Sequence, residues 1–317
     1  MNVRKLIVEN QISVILLAFL LGLAFPSVFQ PINQWSTQLL ILVFFFSSLR
    51  LSLSEIVEYA HDWRMLFITS IYMLVILPFA LYLPVRLFDP SWSIALLIMG
   101  AMPTGMTIAL MAEFFGGKTS LALVITTVTS LLAPFTIPIV TKIAVGQAVP
   151  IPALQMFWSL LLTIAAPFVF AMLVKRATPK FVAKHDQHWR NISVAAFGLL
   201  IVGIVANTQT GTPITITLRD VVFLIASTVL LGTFTWAAYF ITPWRKPAER
   251  ITIALCMLYL NNTLALFVAD KFFKAQGVVP KQVLLLVVVN ALLPFIKIAA
   301  AKIAHPGRKF TLQALLS

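Results

Sequence analysis

Long apolar stretches interrupted by isolated charges dominate this chain. Glu9 and Arg50 enclose 40 residues without a charge, Arg64 and Arg86 enclose 21, Lys118 and Lys142 enclose 23, and Arg250 and Asp270 enclose 19. The runs are continuous rather than alternating, which excludes the strands of a transmembrane barrel. A spanning helix takes about 20 apolar residues, within about 17–25. The first run is too long for one helix and divides at Pro26, Gln30, Pro31 and Asn33. The pattern therefore predicts an all-α membrane protein of ten spans, at residues 10–28, 36–53, 64–86, 92–115, 119–142, 151–174, 189–207, 219–242, 250–273 and 280–304.

Composition supports this reading. Of 317 residues, 60% are hydrophobic and 10% charged, against about 45–50% and about 25% in soluble domains. A soluble enzyme cannot hide that much apolar surface. The formal charge of +13 would suit a nucleic-acid binder, but the basic residues punctuate apolar runs and form no patch, so nucleic acid is excluded as a partner and the lipid bilayer takes its place. The single Cys excludes a disulfide framework and a Cys-rich metal site.

The basic residues also set orientation. With ten spans both termini share a side, and that side receives 16 of the 23 Lys and Arg, the other 6, with Lys297 inside the last span. The rule that basic loops stay inside places both termini in the cytoplasm of a multi-pass inner (plasma) membrane protein. The first span is read as a retained helix, because no small-residue cleavage site follows it. Trp35, Trp63, Trp92, Trp189 and Trp244 fall near span ends, as an aromatic belt would.

The chain resembles itself at an offset near half its length. Thr107-Ile-Ala-Leu-Met-Ala-Glu113-Phe-Phe corresponds to Thr263-Leu-Ala-Leu-Phe-Val-Ala-Asp270-Lys-Phe-Phe, 156 residues on. Trp35 and Trp189 lie 154 apart, Arg64 and Arg219 155, and Leu131-Leu-Ala-Pro134-Phe matches Leu292-Leu-Pro294-Phe at 160. This divides the chain into repeats at 1–148 and 149–317, each of five spans. An odd number per repeat inverts the second half, an arrangement of secondary transporters, whose sites lie at the midplane where paired helices are broken. Span four breaks at Gly100-Ala-Met-Pro103-Thr104-Gly105, where proline removes a donor and glycine frees the backbone. Its counterpart in span nine is Leu260-Asn261-Asn262-Thr263, two amides in an apolar run. Thr104, Gly105, Thr126, Asn261, Asn262, Thr263 and Asn290 are the candidate substrate-binding residues, with Pro103 and Gly105 forming the break. The hydroxyls of Thr126, Thr127, Thr129 and Ser130 have the alternative of bonding back to their own helix.

Met102-Pro103-Thr-Gly105, then Gly117 and Leu121-Ala-Leu-Val-Ile-Thr126-Thr-Val-Thr-Ser-Leu-Leu-Ala-Pro134, resembles the bile acid:sodium symporter family, as do Arg250-Ile-Thr-Ile-Ala, Asn261 and Leu264-Ala265 in span nine. The resemblance covers nearly the whole chain and marks a divergent member. It implies a core of spans three to five and eight to ten, in which broken spans four and nine cross, and a panel of spans one, two, six and seven. It further implies a small organic anion as substrate, carried by alternating access. The family's sodium ligands are not kept: the aligned positions are Ile108, Ala109, Ala122, Cys256 and Leu260, a span-three Gln becomes Met73, and only Thr126 retains its hydroxyl. Aliphatic groups cannot replace the hard oxygen ligands that such a cation takes. Sodium is therefore not favoured as the coupling ion, and no cofactor or resident metal is expected. The arsenite permeases' Cys after the span-four Pro is Thr104 here, and auxin-carrier-like proteins share the layout.

Lys297 is the one charge well inside a span, a functional hypothesis by default, with snorkelling to the surface as the alternative. Its functional reading is charge compensation or coupling, shared with Glu113 and Asp270. Those two end the repeat-related helices and read first as solvated helix ends, with a gate or proton-entry role as the alternative. His61, His185, His188 and His305 show no metal-ligand spacing. No nucleophile–base pair lies within the spans, so an enzyme is not expected. A monomeric transporter is the reading, with a channel or a sodium symporter with a shifted ion site as alternatives.

Overall fold

The computed structural model describes residues 11–51, 59, 61–105, 108–146 and 148–290. These are nearly all helical. Helix α1 (Gln11–Ala24) leads through Pro26–Phe29 and a 3₁₀ segment, Gln30–Trp35, into α2 (Ser36–Ser48). Then come α3 (Trp63–Arg86), α4 (Pro90–Gly100), α5 (Ile108–Phe114), α6 (Thr119–Val145), α7 (Ala153–Ala177) and the short α8 (Pro179–Lys184). They are followed by α9 (Asp186–Gly211), α10 (Leu218–Ala238), α11 (Pro247–Leu258), α12 (Asn262–Phe272) and α13 (Val278–Asn290).

Five of these, α3, α6, α7, α9 and α10, are 21 to 27 residues long and apolar enough to cross a membrane singly. Helix α1 and the stretch Pro26–Ser48 are bent by 108° and add a sixth as a pair. The bend falls at Phe25, whose ψ of 57° is not helical, because a following proline disfavours the helical region in the residue before it. Predicted spans four and nine each divide into two short helices, α4 with α5 and α11 with α12. The last predicted span is described only as far as Asn290. Lys297, Pro294 and His305 lie outside the described residues.

Local chemistry fixes the element ends. Asp62 caps α3 by accepting from the Met65 N–H at 3.1 Å. Asp89 caps α4 through Ser91 and Trp92, both at 2.9 Å, with Pro90 in the first turn. Thr217 and Asp220 form a reciprocal capping box on α10. Helices α3 and α7 each carry one π-helical turn, Tyr72–Ile76 and Leu161–Ala165, just ahead of Pro78 and Pro167. A proline that cannot donate to the ladder favours such a widened turn. Some predicted ends move: α2 stops at Ser48 rather than 53, α9 begins at Asp186 rather than 189, and α10 stops at Ala238 rather than 242.

Two sets of helices are distinguishable by packing. Helix α9 lies along α1, the 3₁₀ segment and α2, and α2 also packs on α7. In the second set α3 packs on α4, α10 on α11, and α6 touches α3, α5 and α11. Helix α6 also meets α7, and α12 meets α9, so the sets are in contact. The short helices are the most central: every residue from Trp92 to Gly100 in α4 and from Asn262 to Ala269 in α12 is buried. A helix apolar on all faces belongs in such a core. The outside carries large apolar side chains, among them Leu154, Phe170, Val229 and Trp236, a surface suited to lipid and not to water. Trp35, Trp63 and Trp244 are exposed. Trp92 is a correction to the predicted belt: it is fully buried, donates to Asp220 at 2.9 Å and stacks on Phe223.

Candidate functional site

Between α4 and α5 the chain runs extended through Pro103, Thr104 and Gly105, and between α11 and α12 through Tyr259, Leu260 and Asn261. The two extended pieces pair with each other. Thr104 and Leu260 form an isolated antiparallel bridge. The Gly105 N–H donates to the Tyr259 carbonyl at 2.7 Å, and the Asn261 N–H to the Pro103 carbonyl at 2.8 Å. These bonds satisfy backbone groups that the broken helices leave free, as burial in an apolar interior demands. Gly105 is required by contact and not by an unusual torsion: a Cβ there would lie 2.9 Å from the Tyr259 ring and 3.3 Å from its carbonyl oxygen. The two bonds also have a symmetry. Shifted by 156 residues, Gly105 becomes Asn261 and Pro103 becomes Tyr259, so the sequence offset exchanges one bond for the other about the Thr104–Leu260 bridge.

The pairing is locked from the sides by buried groups. The Thr104 hydroxyl is 3.4 Å from both the Met73 Sδ and the Cys256 carbonyl oxygen. Its N–H donates to the Thr129 hydroxyl at 3.4 Å. Asn261 caps α12 by accepting from the Leu264 N–H at 3.1 Å. Asn262 and Thr263 are buried in the first turn of α12, and the Asn262 Oδ1 has no hydrogen-bond partner. Buried polar atoms are nearly always satisfied, so this amide oxygen beside the crossing stands out. The Ser130 hydroxyl on α6 is likewise buried and unpaired.

The structure brings Pro103, Thr104, Gly105, Asn261, Asn262 and Thr263 together. It treats the helical hydroxyls differently. Thr126, Thr127 and Thr129 donate to Ala122, Leu123 and Ile125 carbonyls at 2.7–2.8 Å, the back-bonding alternative. Asn290 donates to the Leu286 carbonyl of its own helix at 2.7 Å. The positions aligned with sodium ligands are packed and apolar: Ile108, Ala122, Cys256 and Met73 are fully buried and Leu260 nearly so.

Glu113 and Asp270, paired by the repeat, have different surroundings. Glu113 is exposed. Asp270 contradicts its reading as a solvated helix end. One carboxylate oxygen accepts from Asn33 at 3.1 Å and the other from Asn207 at 3.3 Å. In the sequence Asn33 stood out only as part of the break in the first apolar run, and Asn207 not at all; an amide in an apolar stretch was the available signal. Gln282, fully buried in α13 with neither amide atom bonded, was missed in the same way. Among the described residues no group of three or more His, Cys, Asp or Glu is placed to hold a metal.

Apolar-faced helices around a core of paired helix breaks define a multi-pass membrane protein. Residues 10–297 match the SBF-like CPA transporter family, and the chain belongs to that family. A relative from Bacillus subtilis (strain 168), described as an uncharacterized sodium-dependent transporter, YocS, is 26% identical over 196 residues. That match spans 60% of this chain and 60% of the relative. The resemblance to bile acid:sodium symporter-like proteins read from the motifs therefore holds.

Proposed function

We propose that this protein moves a small organic anion across the membrane by alternating access, as a facilitative or secondary active transporter, with the substrate held where the two helix breaks cross. The carrying observation is the pair of backbone bonds that the 156-residue offset interchanges. Two such breaks related by a local two-fold favour two inverted five-span repeats, at 1–148 and 149–317, with α4/α5 and α11/α12 as spans four and nine. Breaks at a midplane are where transporters of this architecture hold their cargo. The Asn262 side-chain N–H groups, the Thr263 hydroxyl and the positive end of α12 offer donors and potential for an anionic oxygen, and the unpaired Asn262 Oδ1 can accept from a substrate hydroxyl. Asn290 contributes the amide hydrogen left after its helix bond, and Thr126, whose hydrogen goes to Ala122, accepts from a hydroxyl of the substrate.

Coupling to sodium is not favoured. Soft or aliphatic side chains fill the aligned ligand positions, and the Met73 thioether lies against the Thr104 hydroxyl where a cation would need oxygen. Transport is then uncoupled or proton-linked, with Lys297 the leading charge-compensating residue. A second reading is a sodium symporter whose ion site has shifted, favoured by the description of the Bacillus subtilis relative as a sodium-dependent transporter. Uptake into proteoliposomes from a panel of organic anions, with sodium, potassium and pH gradients imposed separately, tests the proposal. Saturable uptake that Asn261→Ala abolishes supports it, whereas ohmic conductance without saturation would replace it by a channel.

A further inference from the structure

Two adjacent residues at the far end of α12 tie it to four elements of the neighbouring helix set. Asp270 accepts from Asn33 on the 3₁₀ segment and from Asn207 on α9. Lys271 donates to Thr37 on α2 at 3.2 Å and to Ser159 on α7 at 2.9 Å. These partners lie 63 to 237 positions away in sequence. The acceptor side is built for the contact. Gly203 lets the 3₁₀ segment close on α9, since a Cβ there would meet the Asn33 nitrogen at 3.1 Å. Asn207 is one turn further along the same face of α9. Both amides therefore reach Asp270 from one side.

The helical repeat places this cluster above the proposed binding residues. Asn262, Leu266 and Asp270 share one face of α12, and Thr263, Phe267 and Lys271 share the next. The Lys271 ammonium lies 5.2 Å from the Phe267 ring centre, which fits that stacking. Eight residues of helix separate Asn262 from Asp270, about 12 Å. The lysine and arginine distribution assigns this end of α12 to the non-cytoplasmic side.

We propose that Asp270 and Lys271, with Asn33, Asn207, Thr37 and Ser159, form the gate that closes the non-cytoplasmic end of the cleft between the two helix sets, and that the structure is the state closed on that side. This rests on the alternating-access reading. In the opposite state α12 and α9 separate and all four bonds break together, so the gate's strength biases the equilibrium between the two states. A hydrogen bond to a charged group is strong enough that losing one shifts such an equilibrium about tenfold.

The test needs no substrate. In a Cys256→Ala background, which keeps the backbone carbonyl that Thr104 uses, a Thr263→Cys reporter is labelled by a membrane-impermeant maleimide in vesicles of each orientation. Asp270→Asn, and separately Asn33→Ala with Asn207→Ala, are expected to raise labelling from the non-cytoplasmic side by about tenfold, with no gain from the other side. No gain in either variant at this reporter or at a second one nearer the gate, in protein that elutes as a folded species, overturns the gate. Equal gains from both sides also overturn it, since they report general loosening. Should those variants fail to fold, Lys271→Ala removes two of the bonds from an exposed position and carries the same expectation. A second reporter, Leu266→Cys, separates the gate from the site: a gain there with none at Thr263 supports the gate and overturns the placement of the substrate, and a gain at neither overturns the gate.

Discussion

Single atoms decide the crossing. Gly105 faces the Tyr259 ring with room for a hydrogen and nothing larger. Gly105→Ala is expected to lower stability by about 1–3 kcal/mol, the usual cost of overpacking, and to weaken the Gly105–Tyr259 bond by pushing the strands apart. A melting curve in detergent reads the loss, and an unchanged midpoint would show that the ring turns aside freely. Asn261 has a double role, capping α12 and lying in the proposed site. Asn261→Ala removes the cap, at about 1 kcal/mol. Asn261→Ser keeps a capping oxygen and loses the amide. If the amide serves the substrate, both variants lose uptake and only the alanine variant loses stability; uptake by the serine variant would confine Asn261 to capping.

Helix placement was largely legible in the sequence, because hydropathy over 20 residues responds to the same burial that shapes the helices. The span-four break was legible as well, since Pro103 and Gly105 act on their own backbone. The span-nine break carried a weaker mark, two amides, and became visible through its repeat partner. Partner-dependent features were not legible. Trp92 sits near a helix end, as belt residues do, yet its indole N–H finds Asp220 on α10 and its ring finds Phe223. Asp270 looked like a solvated helix end because its amide partners come from elsewhere in the chain. The hydroxyls of α6 look alike in sequence, and the structure bonds three of them to their own helix. Trp92→Phe tests the tertiary term alone. It keeps the ring on Phe223 and removes one bond to a carboxylate that Thr217 still serves. The expected cost is about 1–3 kcal/mol, read as a lower melting midpoint.

At the scale of the whole molecule, the contrast between a familiar fold and an altered interior bears on energy coupling. Family membership marks a transporter-type membrane protein, but an ion couples only through the atoms that hold it. A hard cation leaving water needs several oxygen ligands to replace its hydration. Around the crossing the chain offers a thioether at Met73, a thiol at Cys256 and aliphatic groups at Ile108, Ala122 and Leu260, all buried. The Thr126 hydroxyl hydrogen is committed to Ala122. The carbonyls of Pro103 and Tyr259 already accept from Asn261 and Gly105. Each of these oxygens keeps a lone pair, but among the described residues no side chain bonded at the crossing is a carboxylate that could balance the ion's charge. We therefore expect initial uptake rates to be the same in sodium and in potassium, and Met73→Gln or Cys256→Glu alone not to create sodium dependence, because one oxygen ligand cannot stand in for a set. Paired flux measurements in proteoliposomes at equal ionic strength provide the check. Saturable stimulation by sodium would show that the cation is held elsewhere, and Asp270, with two carboxylate oxygens and two amides already gathered around it, is the position to substitute first.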